Sequence, residues 1–188
     1  MKPGFATAKH SFIVKSFKLK TTGRRLLADT FTPVSMYLQL RDVFVNAILL
    51  ESSDYHGNEN AFTYICCEPM ARFEAASTEV QIRWPNGAKQ TVQAEDRSKV
   101  LPLLQDFADS FATENLGYKF PVNGLYGYMT YDAVQNFEEI EFDHSPEPAL
   151  AIPEILYHVY RYVIAVNHFN EEVFLFEHQA VGHETESR

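Results

Sequence analysis

The sequence predicts an α+β domain: an antiparallel, β-rich core with two or three flanking helices. Three observations carry that prediction. Trp84-Pro85-Asn86-Gly87 lies between two short strand-like runs, and Asn-Gly at such a junction marks a hairpin. Tyr157 to Val166 and Glu172 to Phe176 form a second, longer hairpin around Asn167-His168-Phe169-Asn170. Strand–helix–strand alternation is scarce, which argues against a doubly wound parallel fold. An aromatic content of 14%, led by fifteen Phe and ten Tyr, suits a pleated core.

The elements follow in order. Ser11 to Lys20 alternates apolar and polar residues as a half-buried edge strand with wet lysines, Thr22-Gly23 reads as a turn, and Arg25 to Asp29 as a second short strand. Thr32-Pro33 opens a helix of about two turns, with Thr at the N-cap and Pro at the first helical position; Val34, Tyr37 and Leu38 share a face. Ala47 to Leu50 is a short apolar strand, and Ser53 to Asn60 a polar loop. Ala61 to Cys67 is the next strand, halted at Glu68-Pro69, with further strands at Arg72 to Ala75, Val80 to Trp84 and Gln90 to Gln93.

From Ser98 to Ala112 the period changes: Val100, Leu104, Phe107, Ala108 and Phe111 recur at helical spacing. Asn123 to Asp132 is a strand whose Gly124 and Gly127 remove side chains where a backbone or ligand comes close. Ala133 to Glu138 reads as a short helix, and the proline-rich stretch from Asp143 to Pro153 as a crossing loop.

The totals bound the function. At 188 residues the chain is one domain, and 46% hydrophobic with 22% charged residues is ordinary globular composition. A net charge of −9 argues against nucleic acid and anionic membrane surfaces, which need a basic face. No apolar run approaches the ~18 residues of a membrane span, and polar residues interrupt the first ten positions, where a signal peptide would be apolar. The two cysteines, Cys66 and Cys67, are neighbours and point to opposite faces of a strand, so the reading is two reduced thiols in a cytoplasmic protein. The seven histidines show no metal-ligand spacing, and Glu138, Glu139 and Glu141 read as a solvated acidic run. There is no nucleophile elbow and no phosphate loop.

One stretch combines apolar and polar groups in a way that suits a small ligand. Ala47-Ile48-Leu49-Leu50 runs straight into Glu51-Ser52-Ser53-Asp54. The expectation is a strand that enters a core and ends in a carboxylate and a hydroxyl. Glu51 can accept hydrogen bonds from an ammonium group, Ser52 can donate or accept, and the leucines can wall an apolar side chain.

Leu49-Leu50-Glu51-Ser52 also carries a resemblance. With Asp29-Thr30-Phe31-Thr32-Pro33-Val34 before it, and Phe62-Thr63-Tyr64-Ile65 and Pro69 after it, the segment resembles the N-terminal region of anthranilate synthase component I. Gly124-Leu125-Tyr126-Gly127-Tyr128-Met129-Thr130-Tyr131-Asp132 is similar to that family's Gly-x-x-Gly-Tyr-x-x-Tyr-Asp segment, and Pro153-Glu154 followed by a strand hairpin fits as well. In this order the three segments are specific to chorismate-using synthases, and Leu-Leu-Glu-Ser favours anthranilate synthase over para-aminobenzoate synthases.

The resemblance implies two sheets packed roughly at right angles. It also implies that Leu50, Glu51 and Ser52 form part of a tryptophan feedback site, and that a glutamine amidotransferase subunit (component II) is the partner. The family's C-terminal chorismate-binding domain, with its magnesium site and catalytic groups, does not appear before Arg188. The expectation is therefore a regulatory and structural domain over residues 1–188, with no cofactor and no lyase activity of its own. One departure is Ala61, where the family usually has a basic residue. The alternatives are a para-aminobenzoate or other chorismate-using synthase, and, from a different class, a free-standing amino-acid-binding module.

Overall fold

A computed structural model of the chain describes residues 16–27, 32–51, 61–140, 142 and 152–184. The predicted α+β class is borne out, as a strand-rich mixed sheet with few helices. In chain order the elements are β1 (Phe17–Leu27), α1 (Pro33–Arg41), β2 (Ile48–Leu50), β3 (Phe62–Ala76), β4 (Glu79–Arg83), β5 (Lys89–Gln93), α2 (Val100–Asp109), β6 (Phe111–Thr113), β7 (Tyr126–Met129), β8 (Ile155–Asn167) and β9 (Glu172–Ala180). Single 3-10 segments at Arg97–Lys99 and Tyr131–Asn136 precede α2 and follow β7.

Among the described residues nine strands share one sheet, ordered β5-β4-β3-β8-β9-β1-β6, with β2 also pairing β3 and β7 also pairing β8. The long strands β3 and β8 therefore belong to two half-sheets. β3 carries β2 along Tyr64–Cys66 and β4 along Arg72–Ala76; β8 carries β7 along Ile155–His158 and β9 along Tyr162–Asn167. The resemblance implied two sheets packed roughly at right angles; the described strands instead form one continuous sheet. Every pairing is antiparallel except β1 with β6.

Two clusters make the core. Phe17, Phe73, Ile82 and Trp84 of the sheet pack with Val100 and Phe107 of α2, where Phe107 is flanked by Trp84 at 5.4 Å and Phe73 at 5.7 Å between ring centroids. Tyr126, Tyr160, Val163, Phe174 and Phe176 form the second, beneath the segment that carries Tyr118 and Phe120.

The Trp84–Gly87 turn forms as expected: Gly87 has φ +78°, its N–H donates to the Trp84 carbonyl, and the Trp84 N–H donates to the Ala88 carbonyl, both at 2.9 Å. The β8–β9 hairpin and the Thr32-capped helix also form where predicted. Gly127 does what a strand glycine was expected to do, since a Cβ there would collide with the Leu156 carbonyl of β8.

Four local expectations are corrected. Thr22-Gly23 is not a turn: both residues lie inside β1, opposite Glu177 and Phe176 of β9. Gly23 is suited to that place because a Cβ would come within 2.9 Å of the Phe176 ring. The short strand expected from Arg25 is the continuation of β1 to Leu27, and 28–29 lie outside the described residues.

Glu68-Pro69 does not halt the strand. Glu68 takes φ +58°, the register shifts between Pro69 and Ala71, and β3 continues through the bulge to Ala76. Phe111 is not helical: α2 stops at Asp109, Ser110 Oγ donates to the Asp106 carbonyl at 2.8 Å, and Phe111 starts β6 beside β1. The fourth correction concerns β2 and is given below. The segments 11–15, 52–60 and 143–151, read above as strand, loop and crossing loop, lie outside the described residues.

Candidate functional site

The polar-ended strand is delivered by a helix whose start is written in its sequence. Thr32 Oγ1 accepts from the Ser35 N–H and Ser35 Oγ accepts from the Thr32 N–H, each at 3.1 Å, a reciprocal cap that sets where α1 begins. After Arg41 the chain turns, with the Val43 and Phe44 N–H groups both donating to the Leu40 carbonyl, and Asn46 adopts φ +59°. β2 then pairs antiparallel with β3: Ile48 opposite Cys66, Leu49 opposite Ile65, Leu50 opposite Tyr64.

The structure corrects the expectation that this strand dives into a core. Ile48 and Leu49 are half-buried, Leu50 is exposed, and Glu51 is exposed at its end. The reason is topological. β2 is three residues long and, among the described residues, has a hydrogen-bonded neighbour on one side only, which makes it an edge there. Glu51 follows Leu50 just past the end of β2. Ser52, the third predicted residue, lies outside the described residues.

The face that carries Leu50 is aromatic. Tyr64 sits opposite Leu50, and its ring centroid lies 6.0 Å from Tyr126 and 6.2 Å from Phe62. Burial pushes the Tyr64 hydroxyl up to about 12, with the neighbouring Cys66 adding to the shift. Burial likewise raises Tyr126, whose buried hydroxyl has no hydrogen-bond partner among the described residues. Cys66 and Cys67 are both buried free thiols; desolvation and the adjacent thiol raise Cys66, and desolvation with Glu68 raises Cys67 to about 11. The edge strand thus offers an apolar, aromatic face at Leu50, with the Glu51 carboxylate following just past the strand's end, a combination suited to an amino acid with a large side chain.

Ala61 is buried, so the position that is usually basic in the resembling family carries no charge here. His168 comes close to it from the β8–β9 turn: its N–H donates to the Ala61 carbonyl at 3.1 Å, and its Nε2 lies 2.7 Å from the buried Thr63 Oγ1. Among the described residues, no three His, Cys, Asp or Glu gather as metal ligands would. His10, His56 and His144 lie outside the described residues.

Sequence reasoning missed Arg161. Its guanidinium is buried at the β3 bulge, with Nη1 donating to Glu68 Oε1 at 3.2 Å and Nη2 to Glu177 Oε1 at 2.8 Å. It adjoins a cleft of about 250 Å³ bordered by Arg83, Trp84, His178 and His183. An arginine within a mostly apolar and aromatic strand was the available signal.

This geometry defines a β-rich α+β domain that presents a short edge strand with a polar end. Comparison with known sequences then gives the nearer relationship. No family model matches the chain. Over most of its length it is similar to two curated proteins named anthranilate synthase component 1. The relative from Lactococcus lactis subsp. lactis is 24% identical over 165 residues, covering 87% of this chain and 33% of the relative. The relative from Acinetobacter calcoaceticus is 26% identical over 173 residues, covering 86% of this chain and 34% of the relative. The chain spans about a third of the length of the curated relatives it matches. The resemblance read from the motifs is thereby borne out as a relationship to these proteins. Among the described residues no helix is long and apolar enough to cross a membrane.

Proposed function

We propose that this chain is the N-terminal regulatory and structural domain of an anthranilate synthase component I, over residues 1–188, and that it contributes Leu50, Glu51 and Ser52 to a tryptophan feedback site. The observation that carries the reading is the similarity to two anthranilate synthase component 1 proteins across 86–87% of the chain, together with the place of Leu49, Leu50 and Glu51 at the end of an edge strand among the described residues. That end suits an amino acid: the Leu50 face borders Tyr64 and Tyr126 for an aromatic side chain, and the Glu51 carboxylate can receive an ammonium group.

In this reading tryptophan binding biases the arrangement of the whole enzyme and so lowers activity at a distance. The reaction of chorismate with glutamine-derived ammonia to anthranilate and pyruvate is assigned to the part of the relatives that this chain does not match. So are the magnesium ion and its ligands, while a glutamine amidotransferase subunit supplies the ammonia. The chain carries no lyase activity alone and works in the cytoplasm.

The test is a calorimetric titration of the chain with L-tryptophan, with L-phenylalanine as control. Saturable, tryptophan-selective heat that is lost in Glu51→Gln and Ser52→Ala is expected. Heat that is absent, or equal for both amino acids, would overturn the assignment of the ligand to this strand end.

A further inference from the structure

A strand of three residues paired on one side holds itself in place weakly, because few ladder hydrogen bonds oppose its fraying. The turn before β2 adds to the difficulty. Asn46 takes φ +59°, a left-handed backbone that asparagine tolerates but does not require, so the residue alone does not fix the turn. Something outside β2 fixes it relative to the core.

That something is a tyrosine far away in sequence. The Tyr160 hydroxyl of β8 donates to the Asn46 carbonyl at 2.9 Å, across 114 positions of chain. A second, longer contact lies beside it, from the Tyr37 hydroxyl of α1 to the Ala47 carbonyl at 3.5 Å. Tyr160 is a rigid anchor. Its side chain is 1% exposed, its ring is packed by His158 at 5.4 Å and Tyr126 at 6.4 Å, and its backbone is paired with Pro69 in the long β3–β8 ladder. The hydroxyl is thus a fixed point of the core that reaches out to the turn feeding the edge strand.

We propose that Tyr160 is the positioning residue of the Leu50–Glu51 strand end. Its hydroxyl pins the Asn46 carbonyl, and this pin sets where β2 begins and where Leu50 and Glu51 are presented. As a statement about ligand affinity the proposal rests on the tryptophan reading above; as a statement about the strand it does not. A strand end held in its binding arrangement spares the ligand the cost of ordering it.

The experiment compares the wild-type chain with Tyr160→Phe and Tyr37→Phe by amide hydrogen exchange and by titration with L-tryptophan. Removing only the Tyr160 hydroxyl is expected to speed exchange at residues 46–50 by about fivefold, the worth of one ordinary hydrogen bond, while β4, β5 and β9 keep their wild-type protection. Tyr37→Phe gives the smaller effect, as its longer contact implies. Tryptophan affinity falls by a similar factor in Tyr160→Phe, with the thermal midpoint nearly unchanged. Wild-type exchange at 46–50, or faster exchange spread evenly over the whole sheet, would overturn the proposal. If the wild-type chain takes no tryptophan, the ligand reading fails and the exchange result alone decides the role of Tyr160.

Discussion

Arg161 and Glu177 meet in a fork: Nε and Nη2 of the arginine both donate to Glu177 Oε1, at 3.1 and 2.8 Å. Glu68 closes the cluster from the β3 bulge, so one buried cation ties β3, β8 and β9 together. Arg161→Ala strands both carboxylates and is expected to destabilise the fold by about 2–3 kcal/mol, below the full cost of a buried pair because the carboxylates are partly wet. Arg161→Met, which keeps the packed stem, costs less. Urea unfolding checks both, and an unchanged midpoint in Arg161→Ala would refute the role given to this cluster.

Gly127 and Gly87 separate two reasons for a glycine. At Gly127 an added Cβ meets the Leu156 backbone, whereas at Gly87 it meets nothing within 4 Å but the residue sits at φ +78°. Gly87→Ala is expected to cost about 1 kcal/mol, from the dihedral alone. Gly127→Ala must push β7 away from β8 and costs more, by about 2 kcal/mol or greater. Equal losses in denaturant melts would show that the β7–β8 approach is not tight.

Two buried histidines make stability depend on pH. Burial holds His158 down at about 4, with Arg72 and Arg83 acting the same way. Burial also holds His178 at about 4, against the opposing effects of the Val122 backbone and Glu177; its Nδ1 lies 2.8 Å from Thr21 Oγ1. Because both values are depressed below the unfolded value of about 6.5, the unfolded chain binds more protons between the two. Their contribution is full above about pH 6.5 and declines as pH falls toward 4, by on the order of 2–3 kcal/mol for each ring. Unfolding melts at pH 7 and pH 5 should show the loss, and both imidazole NMR signals should stay in the neutral position at pH 5.5.

Tyr126 offers the opposite case to Tyr160. Among the described residues its buried hydroxyl has no partner, so the group is desolvated with no hydrogen bond there to offset it. Tyr126→Phe is expected to leave the thermal midpoint unchanged or raise it. A clear fall in midpoint would mean that the hydroxyl has a function in the fold.

Cys66 and Cys67 are buried with raised thiol pKa values, so neither presents a thiolate near neutrality. Both are expected to resist a disulfide reagent at pH 8 until denaturant is added. Fast reaction of either thiol in the native protein would show that β3 opens.

The features legible in the sequence are the ones decided by neighbours along the chain. Thr32-Pro33 starts a helix because a cap needs only the next three residues, and Asn86-Gly87 turns the chain because the turn conformation is local. The α+β class followed from counting such signals. The Leu-Leu-Glu-Ser segment was recognisable as a strand with a polar end for the same reason, and its resemblance to anthranilate synthase component I needed only residue order.

What tertiary structure alone decided depends on partners far away in sequence. Thr22-Gly23 has the composition of a turn, but nine register pairs with β9 hold it in a strand. Phe111 fits the helical period of α2, but pairing with β1 takes it into β6. Glu68-Pro69 looks like a stop, yet a bulge carries β3 through it because β8 lies alongside on both sides of the break. The same holds for the site. Four apolar residues in a row predict burial, but whether Leu50 is covered depends on what lies beyond β2 in the sheet, and there it is the edge. Nor could the sequence mark Arg161 or Tyr160. A charge bridging three strands and a hydroxyl reaching across 114 positions have no local signature, since both exist only once the sheet has brought their partners together.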